Sequence, residues 1–168
     1  MVGSSSQPHP GKFFVPPGAS GAVKWLARGP LSLALRQARE QGWEETILLG
    51  EKATFVEGTR SNLVVVVDDR LIAPGPRAGA LQGVTRELVV RTAARQGWKV
   101  VDRPVTPRDL RDASEVILTS SLLGVIPVRR WGRRTWTCPG PVCAGLQRAH
   151  QDAIARSGRN ARATSRNP

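Results

Sequence analysis

The sequence predicts a single domain of the α/β (α+β) class with a largely antiparallel sheet. Three observations lead to this class. The 168 residues are enough to enclose one hydrophobic core. Hydrophobic residues make up 40% of the chain and charged residues 23%, which is typical of a globular protein. Short apolar runs alternate with segments of helical periodicity, and that order favours strands and helices built around one sheet.

Helical periodicity marks four segments. Between Pro30 and Gly42, the residues Leu31, Leu35 and Ala38 share one helical face, while the proline suits a first turn and the glycine suits a stop. The predicted helices cover residues 31–41 and 85–96, a short segment opened by Thr106 and Pro107, and residues 140–156.

Runs of β-branched and other apolar residues predict the strands. The valines of residues 64–67 favour a buried pleated surface, and Asp68 with Asp69 is typical of a hairpin turn. The predicted strands cover residues 45–49, 53–56, 63–67, 70–73, 99–101, 115–118, 125–131 and 134–137.

Composition also divides the chain along its length. Residues 1–22 are rich in Ser, Pro and Gly and predict a flexible lead without regular structure. Residues 23–156 carry all the predicted elements and form the expected domain. Residues 157–168 are basic, contain Gly, Ser and Asn, and predict a disordered tail.

The net charge of +12 raises the question of a nucleic-acid partner. Most of the basic residues are Arg and are scattered over the chain, without zinc-finger spacing or an RNA-binding aromatic motif. Nucleic-acid binding is therefore not predicted as the main role, although a non-catalytic basic interaction module stays open as an alternative.

Other classes of site and location are not favoured. No apolar run approaches the roughly 20 residues of a membrane span, and the first residues lack the pattern of a secretory signal, so we expect a cytoplasmic protein without a membrane partner. Cys138, Cys143, His9 and His150 lack the spacing of a metal site, and none is predicted.

Four stretches are candidates for chemistry. Gly83-Val84-Thr85 opens the clearest helix, where free N–H groups and a hydroxyl can bind phosphate, although Thr85 could equally be a helix cap. Ser121 ends a polar turn after a predicted strand, where its hydroxyl suits either phosphate or the local backbone. Lys24 has apolar neighbours, which suits an amine nucleophile, and Glu57 stands between two strands, but both also fit ordinary surface positions.

Taken together and in order, these residues resemble the fold-type IV pyridoxal-phosphate enzymes, also called class IV aminotransferases. That family includes branched-chain and D-amino acid aminotransferases and aminodeoxychorismate lyase. The resemblance rests on Lys24, Ala34, Ala38, Gly42, Glu45, Leu48, Leu49, Glu57, Gly58, Asn62, Pro74, Gly83, Val84, Thr85, Arg86, Gly97, Ser121, Gly124, Val125, Pro127 and Val128. It implies a D-amino acid aminotransferase-like fold. Family members carry a small N-terminal domain ahead of the lysine, whereas 23 residues precede Lys24 here, so the chain is expected to match the C-terminal cofactor-binding part only.

The resemblance also implies a role for each site residue. Lys24 would hold pyridoxal 5′-phosphate covalently and move protons at the substrate α-carbon. Glu57 would pair with the pyridine nitrogen, and Arg28 would lie near the ring oxygen. The phosphate would be bound by Gly83, Val84, Thr85 and Ser121.

Within the family, two stretches resemble aminodeoxychorismate lyase. They are the Lys-x-x-x-Arg pattern of residues 24–28 and the Ser-Leu-x-Gly-Val-x-Pro-Val run of residues 121–128. The expected reaction is then release of pyruvate from 4-amino-4-deoxychorismate to give 4-aminobenzoate, a folate precursor. The alternative is a branched-chain or D-amino acid aminotransferase. Either way, the resemblance implies a small amino substrate and a homodimer.

Overall fold

The computed structural model describes the backbone of residues 4–12, 28–50 and 53–164, and the side chains of residues 28–50 and 53–157. Within these residues the helices are α1 Gly29–Glu40, α2 Val84–Arg95, α3 Pro107–Asp112 and α4 Pro141–Thr164. The strands are β1 Ser4–Lys12, β2 Glu45–Leu49, β3 Phe55–Gly58, β4 Asn62–Val67, β5 Arg70–Ile72, β6 Lys99–Val101, β7 Glu115–Ser120, β8 Gly124–Trp131 and β9 Arg134–Thr135.

The sheet curls until it closes on itself. Its order is β3-β2-β1-β8-β7-β4-β5-β6, with β9 beside β8, and an additional pairing joins β3 to β4. The strands β3, β2, β1, β8, β7 and β4 therefore form a ring, which closes where Glu57 lies opposite Asn62. Of the nine pairings among the described strands, six are antiparallel, which confirms the expected largely antiparallel sheet.

Strand β4 is buried along its whole length and separates two hydrophobic clusters. Val64 and Val66 pack on one face with residues of α2 and α4, among them Val89 and Leu146. The other face packs against a cluster that includes Phe55 and Trp131, whose rings meet edge to face with centroids 4.9 Å apart. Each such buried apolar side chain stabilises the fold by about 1.5–3 kcal/mol. The two clusters hold α2 and the strand ends in fixed positions.

Several local predictions are confirmed. Strands β2 and β6 have the predicted bounds, and Asp68 adopts a φ of 51° in the hairpin between β4 and β5. Thr106 caps α3 by accepting a hydrogen bond from the Asp109 N–H, and the Asp109 carboxylate in turn accepts one from the Thr106 N–H. Helices α1 and α2 begin one or two residues earlier than predicted.

The structure corrects the expectation that residues 1–22 contain no regular element. Residues Ser4–Lys12 form β1, which pairs in parallel with β2 on one side and β8 on the other, so that Pro8 lies opposite Ile47. This strand is defined by neighbours about 40 and 120 residues away in the chain. Prolines and serines have a low propensity for strands, and a prediction from local propensity does not include the contribution of distant partner strands.

The structure also corrects the expectation of disorder after residue 156. Helix α4 continues to Thr164, well beyond the predicted end. Residues 157–164 contain Ala and Arg, which favour helices, and no Pro, so the single Gly158 is tolerated inside the helix. Among the described residues, no helix is both long enough and apolar enough to cross a membrane.

Candidate functional site

A buried carboxylate lies where the ring of strands closes. Glu57, in β3, is opposite Asn62, the first residue of β4. Its Oε2 accepts hydrogen bonds from the Leu81 N–H at 3.0 Å and from Nδ2 of Asn62 at 3.2 Å. The same Asn62 nitrogen donates to the Leu81 carbonyl at 2.7 Å. Asn62 thus ties the carboxylate to the segment that leads into α2.

The protonation of Glu57 is shifted by its surroundings. Burial raises its pKa to about 7, while the Leu81 N–H and the positive charge of Arg28 act in the opposite direction. Oε1 of Glu57 makes no hydrogen bond to any described residue. One carboxylate oxygen is therefore fixed by Leu81 and Asn62, and the other is not bound by any residue that the structure describes.

The turn between β3 and β4 is held by a second carboxylate, that of Glu45, which is 5% exposed. Its Oε1 accepts from the Thr59 N–H at 3.2 Å, from the Thr59 hydroxyl at 2.6 Å and from the Thr46 N–H at 3.0 Å. Its Oε2 accepts from the Ser61 hydroxyl at 3.0 Å. A Cβ at Gly58 would collide with the Ser61 hydroxyl, so the turn needs glycine there. Glu45 fixes the loop that carries Glu57 and Asn62, a role that sequence reasoning missed.

The start of α2 lies against the same asparagine. Gly83 is the N-cap residue and makes no side-chain cap, and a Cβ on it would collide with Oδ1 of Asn62. The capping interpretation of Thr85 is therefore not what the structure shows, since Thr85 lies inside the first turn and is buried. The N–H groups of Val84, Thr85 and Arg86 have no acceptor within the helix, as at any helix start. Together they can bind an anion.

A buried arginine in the first turn of α2 binds the segment that follows β5. Nε of Arg86 donates to the Pro74 carbonyl at 2.8 Å, and Nη2 donates to the Ala73 carbonyl at 2.6 Å. Burial lowers the pKa of Arg86, and the nearby Asp102 acts to raise it. Asp102 also accepts from the Gly75 N–H at 2.7 Å. The helix start is thus joined to the end of β5, a function that sequence reasoning did not assign to Arg86.

Arg28 is hydrogen-bonded to the loop that carries Glu57, whereas Ser121 makes no such contact with the predicted site residues. Nη2 of Arg28 donates to the Thr59 carbonyl at 2.7 Å, which places Arg28 beside the Glu57 loop. Ser121 follows β7 at the edge where Asn62 pairs with Thr119, but it is exposed and makes no hydrogen bond to the other predicted site residues among those described. The hydroxyl of Thr119 is buried there and has no partner among the described residues. Lys24 lies outside the described residues.

The structure therefore brings together five of the predicted residues: Arg28, Glu57, Gly83, Val84 and Thr85. One end of the site offers a carboxylate with one oxygen that no described residue binds, and the other offers a helix N-terminus. That pair suits a small molecule with a protonated nitrogen at one end and a phosphate at the other.

Comparison with known proteins agrees with this geometry. The family model described as amino-transferase class IV matches residues 12–131. A protein from Thermotoga maritima named as a probable branched-chain-amino-acid aminotransferase is 36% identical over 127 residues, which are 74% of this chain and 46% of that protein. The branched-chain-amino-acid aminotransferase of Pseudomonas aeruginosa is 30% identical over 130 residues, 73% of this chain and 40% of that protein.

Solved structures show the same fold. The branched-chain amino acid aminotransferase from Escherichia coli superposes with a TM-score of 0.79 at 26% identity, covering 87% of this chain and 50% of that one. The fold and the site thus define a fold-type IV domain of pyridoxal-phosphate enzymes. The chain belongs to the class IV aminotransferase family. It spans less than half the length of the two curated relatives.

The family cofactor, pyridoxal 5′-phosphate, fits the residues present. Oε1 of Glu57 is not bound by any described residue and would accept the pyridine N–H, and burial raises the pKa of this carboxyl to about 7. Gly83 leaves no room for a Cβ, because its backbone lies against Oδ1 of Asn62, the residue that also bonds Glu57. Glu57 and the start of α2 are thus the groups that would hold the pyridine nitrogen and the phosphate of the cofactor.

Proposed function

We propose that this chain is the cofactor-binding part of a pyridoxal-phosphate-dependent aminotransferase that acts on branched-chain amino acids. The observation that carries the proposal is the pairing of Glu57, buried and held by Leu81 and Asn62, with the open N-terminus of α2. The names of the relatives favour branched-chain amino acids as the substrate class over the lyase substrate.

Each predicted site residue that the structure describes has a role in this proposal. Oε1 of Glu57 would accept a hydrogen bond from the protonated pyridine nitrogen and so keep that nitrogen cationic. The N–H groups at the start of α2, with the Thr85 hydroxyl and Ser121, bind the phosphate. Arg28, whose Nη2 donates to the Thr59 carbonyl, would lie near the ring oxygen of the cofactor. When bound, pyridoxal phosphate supplies an electron sink for negative charge at the substrate α-carbon.

Lys24 completes the site in this proposal. Its amine attaches the cofactor and then moves the proton of the substrate α-carbon. Support for this role comes from its position in the family pattern, four residues before Arg28. The homodimer and the cytoplasmic location expected from the resemblance and the composition belong to the same proposal.

Covalent labelling tests the attachment. The purified chain is incubated with pyridoxal phosphate, reduced with borohydride and mapped by peptide mass spectrometry. We expect one phosphopyridoxyl adduct at Lys24, its loss in Lys24→Ala, and its retention in Lys99→Ala, which removes an exposed lysine of β6. Adducts spread over all four lysines, or an unchanged yield in Lys24→Ala, would contradict the proposed site.

A second candidate, aminodeoxychorismate lyase, is favoured by the run of residues 121–128 and by Arg28 at its spacing from Lys24. The products formed separate the two. The loaded chain is mixed with L-leucine and 2-oxoglutarate, which accepts the amino group, in one sample and with 4-amino-4-deoxychorismate in another. Formation of the leucine keto acid supports the aminotransferase, and release of pyruvate supports the lyase. If neither product forms while Lys24 is labelled, the chain binds the cofactor without either activity.

A further inference from the structure

The turn that carries Ser121 is not anchored by its own side chains. It joins β7 to β8 and consists of Ser121, Leu122 and Leu123. Ser121 is exposed, Leu122 is 94% exposed and Leu123 is 60% exposed. The Leu122 N–H donates to the Ser120 hydroxyl at 3.3 Å, which is long for such a bond. The position of the Ser121 hydroxyl therefore depends on what holds the residues that follow the turn.

Helix α4 holds those residues through two side chains. Nε2 of Gln147 donates to the Val125 carbonyl at 2.9 Å. The ring of His150 lies directly over Gly124, since a Cβ added to that glycine would be 3.0 Å from Cε1 and 3.1 Å from Nδ1 of the ring. Residues three positions apart on a helix lie on the same face. One face of α4 therefore makes both contacts with the start of β8.

The backbone of Gly124 suits its place under the ring. Its φ is 70°, a left-handed value that glycine adopts without strain, and it closes the three-residue loop by pairing with Ser120. A larger residue there would be strained and would also meet His150. The end of the turn and the face of α4 thus fit each other closely at this position.

Helix α4 also packs against the other half of the proposed phosphate site. Leu146 of α4 and Val89 of α2 belong to the same buried cluster. On the sheet, Thr119 of β7 lies opposite Asn62, and Oδ1 of Asn62 lies against Gly83 at the start of α2. The turn after β7 and the start of α2 are therefore neighbours, and α4 contacts the elements that carry both.

We propose that Gln147 and His150 are positioning residues of the phosphate site. By holding the Val125 carbonyl and Gly124, they place the Ser121 hydroxyl at the distance from the N–H groups of α2 that a phosphate group requires. Both residues act through the turn and need no contact with the ligand. This inference rests on the proposed function and adds that α4 contributes to selectivity for a phosphorylated ligand over its unphosphorylated form.

Calorimetric titration with a pair of ligands tests the proposal without the reaction of Lys24. Pyridoxine 5′-phosphate carries the ring and the phosphate but no aldehyde, and pyridoxine lacks the phosphate as well. We expect the chain to bind the phosphate ester at least about tenfold more tightly than pyridoxine. Equal affinity for both ligands would overturn this inference, even if an adduct forms at Lys24. A preference for the ester without a Lys24 adduct would support the phosphate site and contradict the proposed attachment, so the two failures are distinguishable.

Variants of α4 test the two residues separately. Gln147→Met and His150→Ala are each expected to lower the affinity for pyridoxine 5′-phosphate about fivefold or more, and to leave the affinity for pyridoxine within about twofold of the wild type. Gln151→Met, which changes an exposed glutamine one turn further along α4, is the matched control and should alter neither affinity. Unchanged affinity for the ester in both variants, or an equal loss for both ligands, would overturn the proposal.

Two further variants distinguish positioning from general support of the fold. His150→Phe keeps a ring over Gly124 and should return the affinity for the ester to within about twofold of the wild type. Ser121→Ala should weaken ester binding directly, and adding Gln147→Met to it should then cost less than about twofold more, because the two residues act as a unit. Additive losses would contradict action through Ser121. Far-UV circular dichroism checks folding, and if one single variant fails to fold, the other still decides the outcome.

Discussion

Glu57 is a buried titratable group, and among the described residues only one of its two carboxylate oxygens accepts hydrogen bonds, from the N–H groups of Leu81 and Asn62. Its pKa of about 7 in the folded chain lies above the ordinary value of 4.5. Between these two pH values the folded chain keeps a proton that the unfolded chain has lost. Stability from this group is therefore greatest below about pH 4.5, falls as pH rises to about 7, and is level above that.

We predict that Glu57→Gln removes this pH dependence. The free energy of unfolding of the cofactor-free wild type should decrease between about pH 4.5 and 7.5. This decrease should be up to about 3 kcal/mol larger in the wild type than in the variant. Urea unfolding at a series of pH values measures the difference. Glu40→Gln, which changes an exposed carboxylate on α1, serves as the control and should follow the wild type. Parallel curves for wild type and Glu57→Gln would contradict a buried carboxyl with a raised pKa.

Gly83 is the other residue on which the site depends. An added methyl group would meet Oδ1 of Asn62, the residue that also binds Glu57. We predict that Gly83→Ala lowers the yield of the reduced cofactor adduct by tenfold or more and lowers the melting temperature by several degrees. Gly145→Ala is the matched control, because a Cβ at that position has nothing within 4 Å. An equal loss of adduct in both variants would show that the contact with Asn62 does not matter.

At the scale of elements, one buried carboxylate of the sheet binds the start of α4. Glu115, the first residue of β7, accepts from the Val142 N–H and the Cys143 N–H, both at 2.8 Å, and is 5% exposed. These N–H groups belong to the first turn of α4, where a negative charge is favourable. These two hydrogen bonds therefore cap the start of α4 with the side chain of a residue from β7 instead of one from the helix's own N-cap position.

We predict that Glu115→Ala destabilises the fold by about 1–3 kcal/mol, since it leaves two buried N–H groups unpaired. Urea unfolding gives the value. Glu87→Ala, which removes an exposed partner of Arg91 on α2, should cost less than about 0.5 kcal/mol. A loss for Glu115→Ala no larger than that of the control would mean that the Glu115 hydrogen bonds contribute little to holding α4 on the sheet.

Elements whose signals are local could be predicted from the sequence. Strands β2 and β6 and the capped start of α3 are examples, because turn residues and caps lie directly beside them. Strand β1 could not be predicted, since its partners are distant in sequence.

The same distinction holds for the site. Glu57 and Gly83 follow from an ordered family pattern, and the structure places them together through Asn62. The hydrogen bonds of Glu45 to Thr59 and Ser61 join residues 14 and 16 positions apart, and the unpaired Thr119 hydroxyl depends on what surrounds it in space. Such contacts leave no spacing signal in the sequence.

For the whole molecule, the net charge of +12 makes weak attraction to polyanions an expected property of the surface. We predict that retention on heparin falls steeply between about 50 and about 200 mM salt, because released counterions drive such binding. Elution measured over a salt gradient tests this. Retention that ignores salt would instead point to a dedicated interaction surface and would favour the basic interaction module as a function.

The closed ring of strands has a consequence for self-association. Strand β1 covers one edge of β2 and one edge of β8 at the same time. A chain shortened by residues 1–12 would leave two facing rows of backbone N–H and C=O groups without partners, and such rows recruit strands from other molecules. The first twelve residues thereby protect the chain against aggregation, because β1 covers both of these strand edges. Light scattering of the shortened chain should show particles that the full chain does not form.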